Sequence, residues 1–357
     1  MARLLIAASG TGGHIFPALA VAETLSSSWE IHWLGVPDRL ESKIVPSQYQ
    51  LVTIPVRGLQ GNFVSKVYQF FKLISATKFV ISFIKEKNIQ ILFTTGGYIA
   101  APSILAAKLV GIKVVLHESN ALPGRVTRLL GRFCDLVALG LPDACQYLLR
   151  SNTLVTGTPV RKSFLTAQPM PNWIPFGKGP LLVVIGGSQG AIGLNRMMRS
   201  VLPFFLEKGC RVVHITGTND PQHLYMQHQN LAIKTFSNEI PGLLQHADLV
   251  ISRAGAGTIC ELAICGTPAV LVPYPSAKDD HQTINALCAA QFGAAVIVHE
   301  HETQHKALYE TLDRLLASRL SDQNNEEDLL RKMQEGMQLM AMREAQETLV
   351  NILNTLI

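Results

Sequence analysis

The residues of this chain best suited to chemistry sit in glycine-rich turns. The first turn is Ser9-Gly10-Thr11-Gly12-Gly13-His14, lying between an apolar run and a helical pattern. Glycines let the backbone approach a ligand closely, and N–H groups exposed at a helix start favour phosphate-like charge. The third glycine of a dinucleotide fingerprint would fall at Ile15, where a bulky residue is unwelcome, which argues against NAD or FAD. His14, on the same turn, has the chemistry of a general base near neutral pH; its other reading is a ring that caps the turn through a backbone hydrogen bond. A second glycine turn, Thr95-Gly96-Gly97-Tyr98, ends a later strand, and His117-Glu118-Ser119-Asn120 ends the next. Glu118 competes with His14 as a base, or else only orients its neighbours.

The second half of the chain carries two more turns of this kind. Gly186-Gly187-Ser188-Gln189-Gly190-Ala191 follows an apolar run, and no G-K-[ST] follows it, so it is not a Walker loop. Ser188 can donate to a phosphate oxygen while the dipole of the next helix stabilises a departing diphosphate; the alternative is a tight turn without a ligand. Ser252-Arg253-Ala254-Gly255-Ala256-Gly257-Thr258-Ile259-Cys260-Glu261 again joins strand to helix. Glu261 suits the two hydroxyls of a ribose, or simply compensates the helix N-terminus. Gln282 and Asn285, three apart, share a helix face and offer amides to sugar hydroxyls. Asp279-Asp280-His281 is not read as a metal site, because consecutive side chains diverge and no second ligand cluster accompanies them.

The elements that must hold these turns are legible as strand-length apolar runs. In the first half they are Leu4–Ala8, Ile31–Leu34, Ile91–Thr95, Val114–His117, Leu136–Leu139 and Leu154–Thr156. In the second they are Leu181–Ile185, Val212–Thr216, Ile233–Phe236, Leu249–Ser252, Val270–Val272 and Ala295–Val298. Helix-length stretches such as Phe16–Ser27 and Ala101–Val110 separate them, the alternation of an α/β parallel sheet. Two Rossmann-like lobes are therefore expected, residues 1–161 and 181–323, joined by a proline-rich linker at 162–180 and followed by a helical segment at 324–357 that could pack on either lobe. Ligands of doubly wound sheets lie beyond the carboxyl ends of the strands, so parallel sheets facing a cleft would bring the turns to one place.

Composition narrows the function classes. Of the 357 residues 48% are hydrophobic and 16% charged, as befits a folded globular protein. The N-terminus lacks the apolar region and cleavage pattern of a signal peptide, and no apolar run reaches the roughly 20 residues that span a bilayer. A cytoplasmic protein with peripheral membrane contact is the expectation. Cys134, Cys145, Cys210, Cys260, Cys265 and Cys288 show no C-x-x-C spacing and are read as reduced thiols. The net charge of +5 divides unevenly, roughly +8 on residues 1–161 and −3 on the rest. No basic stripe with interleaved aromatics of the RNA-binding kind is present, so anionic lipid or a pyrophosphate substrate suits the first half better than nucleic acid. From Phe63 to Lys87, Lys66, Lys72, Lys78, Lys85 and Lys87 face a single acid, Glu86, among Phe70, Phe71, Leu73, Ile74, Phe79, Phe83 and Ile84. That is the composition of an interfacial helix, although part of it must pack on the sheet.

Taken in order, Gly10–His14, Thr95–Tyr98, Gly186–Ala191 and Ala254–Glu261 closely resemble the MurG family of peptidoglycan glycosyltransferases, with similarity running from the first strand to about Asn285. The resemblance implies a two-lobed glycosyltransferase B fold and inverting transfer of N-acetylglucosamine from UDP-GlcNAc to undecaprenyl-pyrophosphoryl-MurNAc-pentapeptide at the cytoplasmic face of the cell membrane. It implies an acceptor on the basic N-terminal lobe, the donor mainly on the C-terminal lobe, an anionic membrane surface as partner, and no cofactor or obligatory metal. Carried over motif by motif, the donor contacts would be Thr11, Gly12, Gly13, Asn120, Arg161, Ser188, Ser237, Ala256, Gly257, Thr258, Ile259, Cys260, Glu261 and Gln282, with Asn285 at the sugar and His14 as base. The chain departs from the family pattern at Ser119 (glutamine expected), Thr158 (asparagine) and Thr127 (asparagine). The rival readings are a UDP-GlcNAc 2-epimerase-like isomerase, which needs no acceptor, and a non-catalytic nucleotide-sugar binding protein.

Overall fold

The computed structural model describes residues 1–56, 63–187, 190–220, 225–300, 305–320 and 328–357. They form two compact units, residues 1–161 with 342–357, and residues 162–341.

The first unit is built on strands β1 (Ala2–Ala7), β2 (Trp29–Gly35), β3 (Gln50–Thr53), β4 (Ile91–Thr94), β5 (Lys113–Glu118), β6 (Leu136–Leu139) and β7 (Thr153–Val155). All pair in parallel, in the order β3-β2-β1-β4-β5-β6-β7. Its helices are α1 (Gly12–Thr24), α2 (Glu41–Ile44), α3 (Phe63–Glu86), α4 (Gly97–Val110) and α5 (Arg125–Leu130). Side chains alternate across a strand, so β1 feeds two cores. Leu5 and Ala7 join Val80, Phe83, Ile99 and Ile104 from α3 and α4 on one face. Leu4 and Ile6 join Ile15, Ala18 and Val21 from α1 on the other. With both faces covered, the central strands read as continuous apolar runs. The edge strand β3, half exposed and with Gln50 and Thr53 at its ends, lacks that signature and is not visible in the sequence pattern.

The second unit repeats the plan with β8 (Leu181–Ile185), β9 (Arg211–Ile215), β10 (Leu231–Lys234), β11 (Leu249–Ser252), β12 (Ala269–Leu271) and β13 (Ala295–Ile297), again wholly parallel, in the order β10-β9-β8-β11-β12-β13. Its helices are α6 (Lys162–Leu165), α7 (Ile192–Glu207), α8 (Ile240–His246), α9 (Ala256–Cys265), α10 (His281–Gln291), α11 (His305–Leu320) and α12 (Leu329–Met340). The stretch read as a linker belongs to this unit: Gln245 of α8 accepts from the Gln168 backbone N–H at 2.8 Å and donates to the Thr166 carbonyl at 2.9 Å. The chain then returns, and α13 (Ala345–Thr355) lies on α1 in the first unit, adding Leu349 and Leu353 to its core. The terminal helices thus divide between the units.

In each sheet the strand order reverses once, between β1 and β4 and between β8 and β11. Ligands of doubly wound folds bind at such switch points, beyond the carboxyl ends of the strands. All four glycine turns follow one of these four strands.

Candidate functional site

At the first switch point α1 starts at Gly12, four residues before the helix suggested by its apolar pattern, and α4 starts at Gly97. Pro17 and Pro102 each occupy the sixth position of their helix, close enough to the start that the first turn forms ahead of them. His14 therefore stands in the first turn of α1. Its Nδ1 lies 2.7 Å from the Thr95 carbonyl, and the Thr95 hydroxyl donates to the His14 carbonyl at 2.9 Å. A carbonyl only accepts, so Nδ1 carries the proton and the neutral ring keeps its lone pair on Nε2. That is the tautomer of a base, fixed by a neutral group.

The ring rests on the second glycine turn. Gly96 and Gly97 have φ of 87° and 75°, and a Cβ on either would meet the His14 ring at 3.7 to 3.8 Å. Thr11, the N-cap of α1, is exposed and its side chain makes no capping bond. Gly12 leaves room for the Phe16 ring, whose Cε2 would lie 2.9 Å from a Cβ there, and the Arg161 guanidinium sits 5.1 Å over that ring. Thr11, Gly12, Gly13, His14 and Arg161 are thus gathered at one turn.

Glu118 is not disposed as a base. It is buried, and its two oxygens accept from Asn120 N and Nδ2 (3.1 Å each), Gly124 N (2.9 Å) and Thr127 Oγ1 (2.7 Å). Four donors hold the carboxylate as the pin of the β5–α5 loop. Thr127, where asparagine was expected, spends its hydroxyl on this pin. The other two departures are neighbours, since a Cβ on Gly140 would meet both Thr158 Oγ1 and Ser119 Cα. Thr158 Oγ1 is enclosed without a hydrogen-bond partner. Behind them the fully buried His117 holds the Gly157 carbonyl at 3.1 Å, and burial, opposed by that bond and by Glu118, pushes its pKa down to about 4.

In the second unit Ser188 lies outside the described residues. Its loop closes through Gly190, which has φ of 88° and packs on the Thr216 carbonyl. Ala256, Gly257, Thr258, Ile259 and Cys260 form the first turns of α9, which has no acidic residue in its first turn and no side-chain cap; Glu261 follows, half-buried. Ser237 is buried and accepts from Glu239 N at 3.0 Å, at the start of α8. Gln282 Oε1 accepts from Tyr274 N at 2.9 Å. Asn285, expected at a sugar, is completely buried, and its amide donates to the Ala254 carbonyl at 3.2 Å. It braces the turn before α9 instead of facing out beside Gln282. Among the described residues no group of His, Cys, Asp and Glu could hold a metal ion.

Sequence patterns missed three residues here. Arg253 donates to the carbonyls of Val272 (3.2 Å) and Pro273 (3.3 Å) and pairs with Glu300, tying the ends of β11, β12 and β13 together. The Glu300 carboxylate lies against Gly193 in the first turn of α7, where negative charge complements the helix dipole. In the first unit Glu41 of α2, wholly buried, accepts from the backbone of the first glycine turn. Arg253 stood inside a recognised motif, whereas Glu41 and Glu300 are isolated acids whose partners are remote in sequence.

The family models for the N-terminal and C-terminal domains of glycosyltransferase family 28 match residues 4–139 and 181–340. The UDP-N-acetylglucosamine--N-acetylmuramyl-(pentapeptide) pyrophosphoryl-undecaprenol N-acetylglucosamine transferase of Prochlorococcus marinus (strain MIT 9303) is 59% identical over 357 residues, covering 100% of this chain and 99% of its own. The protein of the same name from Synechococcus sp. (strain CC9605) is 58% identical, with 100% of both chains covered. Among solved structures, Acinetobacter baumannii MurG superposes with a TM-score of 0.77 at 30% identity, covering 99% of this chain and 100% of that one. With both domains matched and identity of this order sustained end to end, the chain belongs to glycosyltransferase family 28, among its pyrophosphoryl-undecaprenol N-acetylglucosamine transferases.

Proposed function

We propose that this enzyme moves N-acetylglucosamine from UDP-GlcNAc to the lipid-linked MurNAc-pentapeptide and inverts the anomeric carbon. The observation that carries the mechanism is the His14 tautomer: with Nδ1–H on the Thr95 carbonyl, Nε2 is the proton acceptor. Nε2 takes the proton of the acceptor hydroxyl as its oxygen bonds to the anomeric carbon. The bond from that carbon to the diphosphate oxygen breaks on the opposite side, and UDP leaves with the electron pair. Thr11, Gly12 and Gly13 at the start of α1 suit the donor, and the first turn of α4, also without acidic residues, suits the acceptor pyrophosphate. The first turn of α9 with Glu261, the Ser237 turn and Gln282 suit the nucleotide sugar, and Ser188 with the α7 dipole suits the leaving diphosphate.

The isomerase reading is not favoured, since family-28 transferase domains match both halves of the chain. The test is release of UDP from UDP-GlcNAc with and without a short-chain lipid-linked MurNAc-peptide, following the sugar as well. Acceptor-dependent release with a disaccharide product is expected. Equal release without acceptor would sink the transferase reading.

A peripheral site at the cytoplasmic face of the cell membrane completes the proposal. Among the described residues no helix is long and apolar enough to cross a bilayer. On α3, Val80, Phe83 and Ile84 pack inward, while Tyr68, Phe70, Phe71, Ile74 and Phe79 stay exposed beside Lys72 and Lys78. Inserting an exposed phenylalanine into the acyl boundary contributes about 1.5 kcal/mol or more, and each nearby lysine about 1 kcal/mol with anionic lipid. A Phe70→Ser, Phe71→Ser double variant should bind anionic vesicles at least about tenfold more weakly in a sedimentation assay. Turnover on a water-soluble acceptor analogue should be unchanged. Undiminished vesicle binding would move the membrane face elsewhere.

A further inference from the structure

The first glycine turn is held from behind by a carboxylate. Glu41 is 0% exposed, and its Oε2 accepts from Gly10 N at 3.3 Å while Oε1 accepts from Val36 N at 2.7 Å. Those two N–H groups lie just past the carboxyl ends of β1 and β2, where each chain leaves the sheet and the ladder no longer supplies partners. An ionised carboxylate has lone pairs enough for both and no proton to compete with them. Gly10 opens the turn with φ of 106°, and His14 closes it against Thr95. The turn is therefore tethered at its base by Glu41 and at its far end by Thr95.

We infer that Glu41 is a positioning residue for the transfer reaction, acting through the Gly10 N–H to set where the first turn presents His14; this rests on His14 being the base. Misplacement of a catalytic group by about 1 Å costs on the order of a hundredfold, so a tether at the root of the turn should register in turnover. Exchange for glutamine keeps size and shape but points an amide NH2 at one of the two backbone N–H groups, so that contact becomes repulsive. A second disturbance leaves every charge in place. Gly35 has no positive φ, and a Cβ there would lie 2.9 Å from Glu41 Cγ and 3.1 Å from both its Oε1 and Leu51 Cδ1, so Gly35→Ala crowds the carboxylate in its seat, with Leu51 the other neighbour that must give.

The experiment measures kcat and the KM for UDP-GlcNAc for Glu41→Gln and Gly35→Ala in the wild-type and His14→Ala backgrounds, with thermal melting of each. Glu41→Gln should lower kcat by about 10- to 100-fold, and Gly35→Ala should do so to a smaller degree. In the His14→Ala background the same changes should cost less than about twofold, because the group they position is gone. An undiminished loss in that background, or wild-type kcat in both variants, overturns the positioning role. Should Glu41→Gln fail to fold, Gly35→Ala carries the same comparison alone. Near-normal turnover of His14→Ala itself would overturn the base assignment, an outcome distinct from wild-type kcat in the Glu41 variant.

Discussion

His14→Ala should lower kcat by about a thousandfold while leaving the affinity for UDP-GlcNAc within a few-fold of wild type. Removal of a general base removes an interaction made only as the proton moves, so the loss falls on turnover and not on donor binding. The structure sharpens this expectation. Thr95 fixes the ring by a carbonyl and a hydroxyl, both neutral, so His14 keeps an imidazole free to gain charge at Nε2. Glu118 offers no substitute, because both oxygens are engaged by four donors and its own loop would have to open first. His14→Gln, which retains a hydrogen-bonding group but cannot accept the proton usefully, should be nearly as slow as His14→Ala. A His14→Gln enzyme at a tenth of wild-type kcat or better would mean that the residue orients the acceptor and that the proton leaves by another route.

Acid should unfold both units through buried histidines that take no part in the proposed proton transfer. In the second unit His214 is 0% exposed; Asn195 Nδ2 donates to the Thr216 carbonyl (2.9 Å) and Asp220 (3.0 Å), which leaves Asn195 Oδ1 to accept from His214 Nε2–H at 3.0 Å. Nδ1 is buried without a partner. Burial, partly offset by Asp220 and reinforced by Arg199, pushes the His214 pKa down to about 3, as burial of His117 pushes its own to about 4. In the unfolded chain both rings protonate near pH 6.5, so from there down to the folded values the unfolded state holds more protons. Stability is therefore full above pH 6.5, falls as pH drops through that window, and levels off below about 4 and 3. At 1.36 kcal/mol per unit the loss is about 3 kcal/mol for His117 and about 5 kcal/mol for His214, against a usual total near 5–15 kcal/mol. Urea midpoints measured from pH 7.5 to 4.5 should drop steeply in the wild type and less so in His117→Gln and His214→Gln. Equal slopes in all three proteins would show that other groups control the acid transition.

Local pattern was enough for what depends on local pattern. Leu4–Ala8 and Leu181–Ile185 read as buried parallel strands because both faces are covered, and the turns after β1, β4, β8 and β11 announce themselves through glycine. His14 could be singled out because it lies on such a turn. Features set by partners far along the chain were not legible. The Thr95 carbonyl that fixes the His14 tautomer is 81 residues away, and the Arg253–Glu300 pair spans 47. Asn285 shows another limit: helix spacing placed it beside Gln282, and the structure buries it fully, with its amide on the Ala254 carbonyl. Spacing reports which residues share a face and not how deeply the face is sunk.

The return of α13 to the first unit means that neither unit's partition of the chain can be made by a single cut. Residues 1–161 alone would expose the face of Ile15, Ala18 and Val21 that Leu349 and Leu353 cover. Trp29 Nε1 donates to Asn354 at 3.1 Å, and Met1, Ala2, Asn354 and Ile357 line one small hollow, so the two ends of the polypeptide are neighbours. A circular permutant that reads from Met342 through Ile357, across a few-residue linker to Met1, and on to Arg161 would give the first unit as one uninterrupted gene segment with all of its core. The same rearrangement turns residues 162–341, which interrupt the first unit in the present order, into a terminal segment joined at the single junction after Arg161.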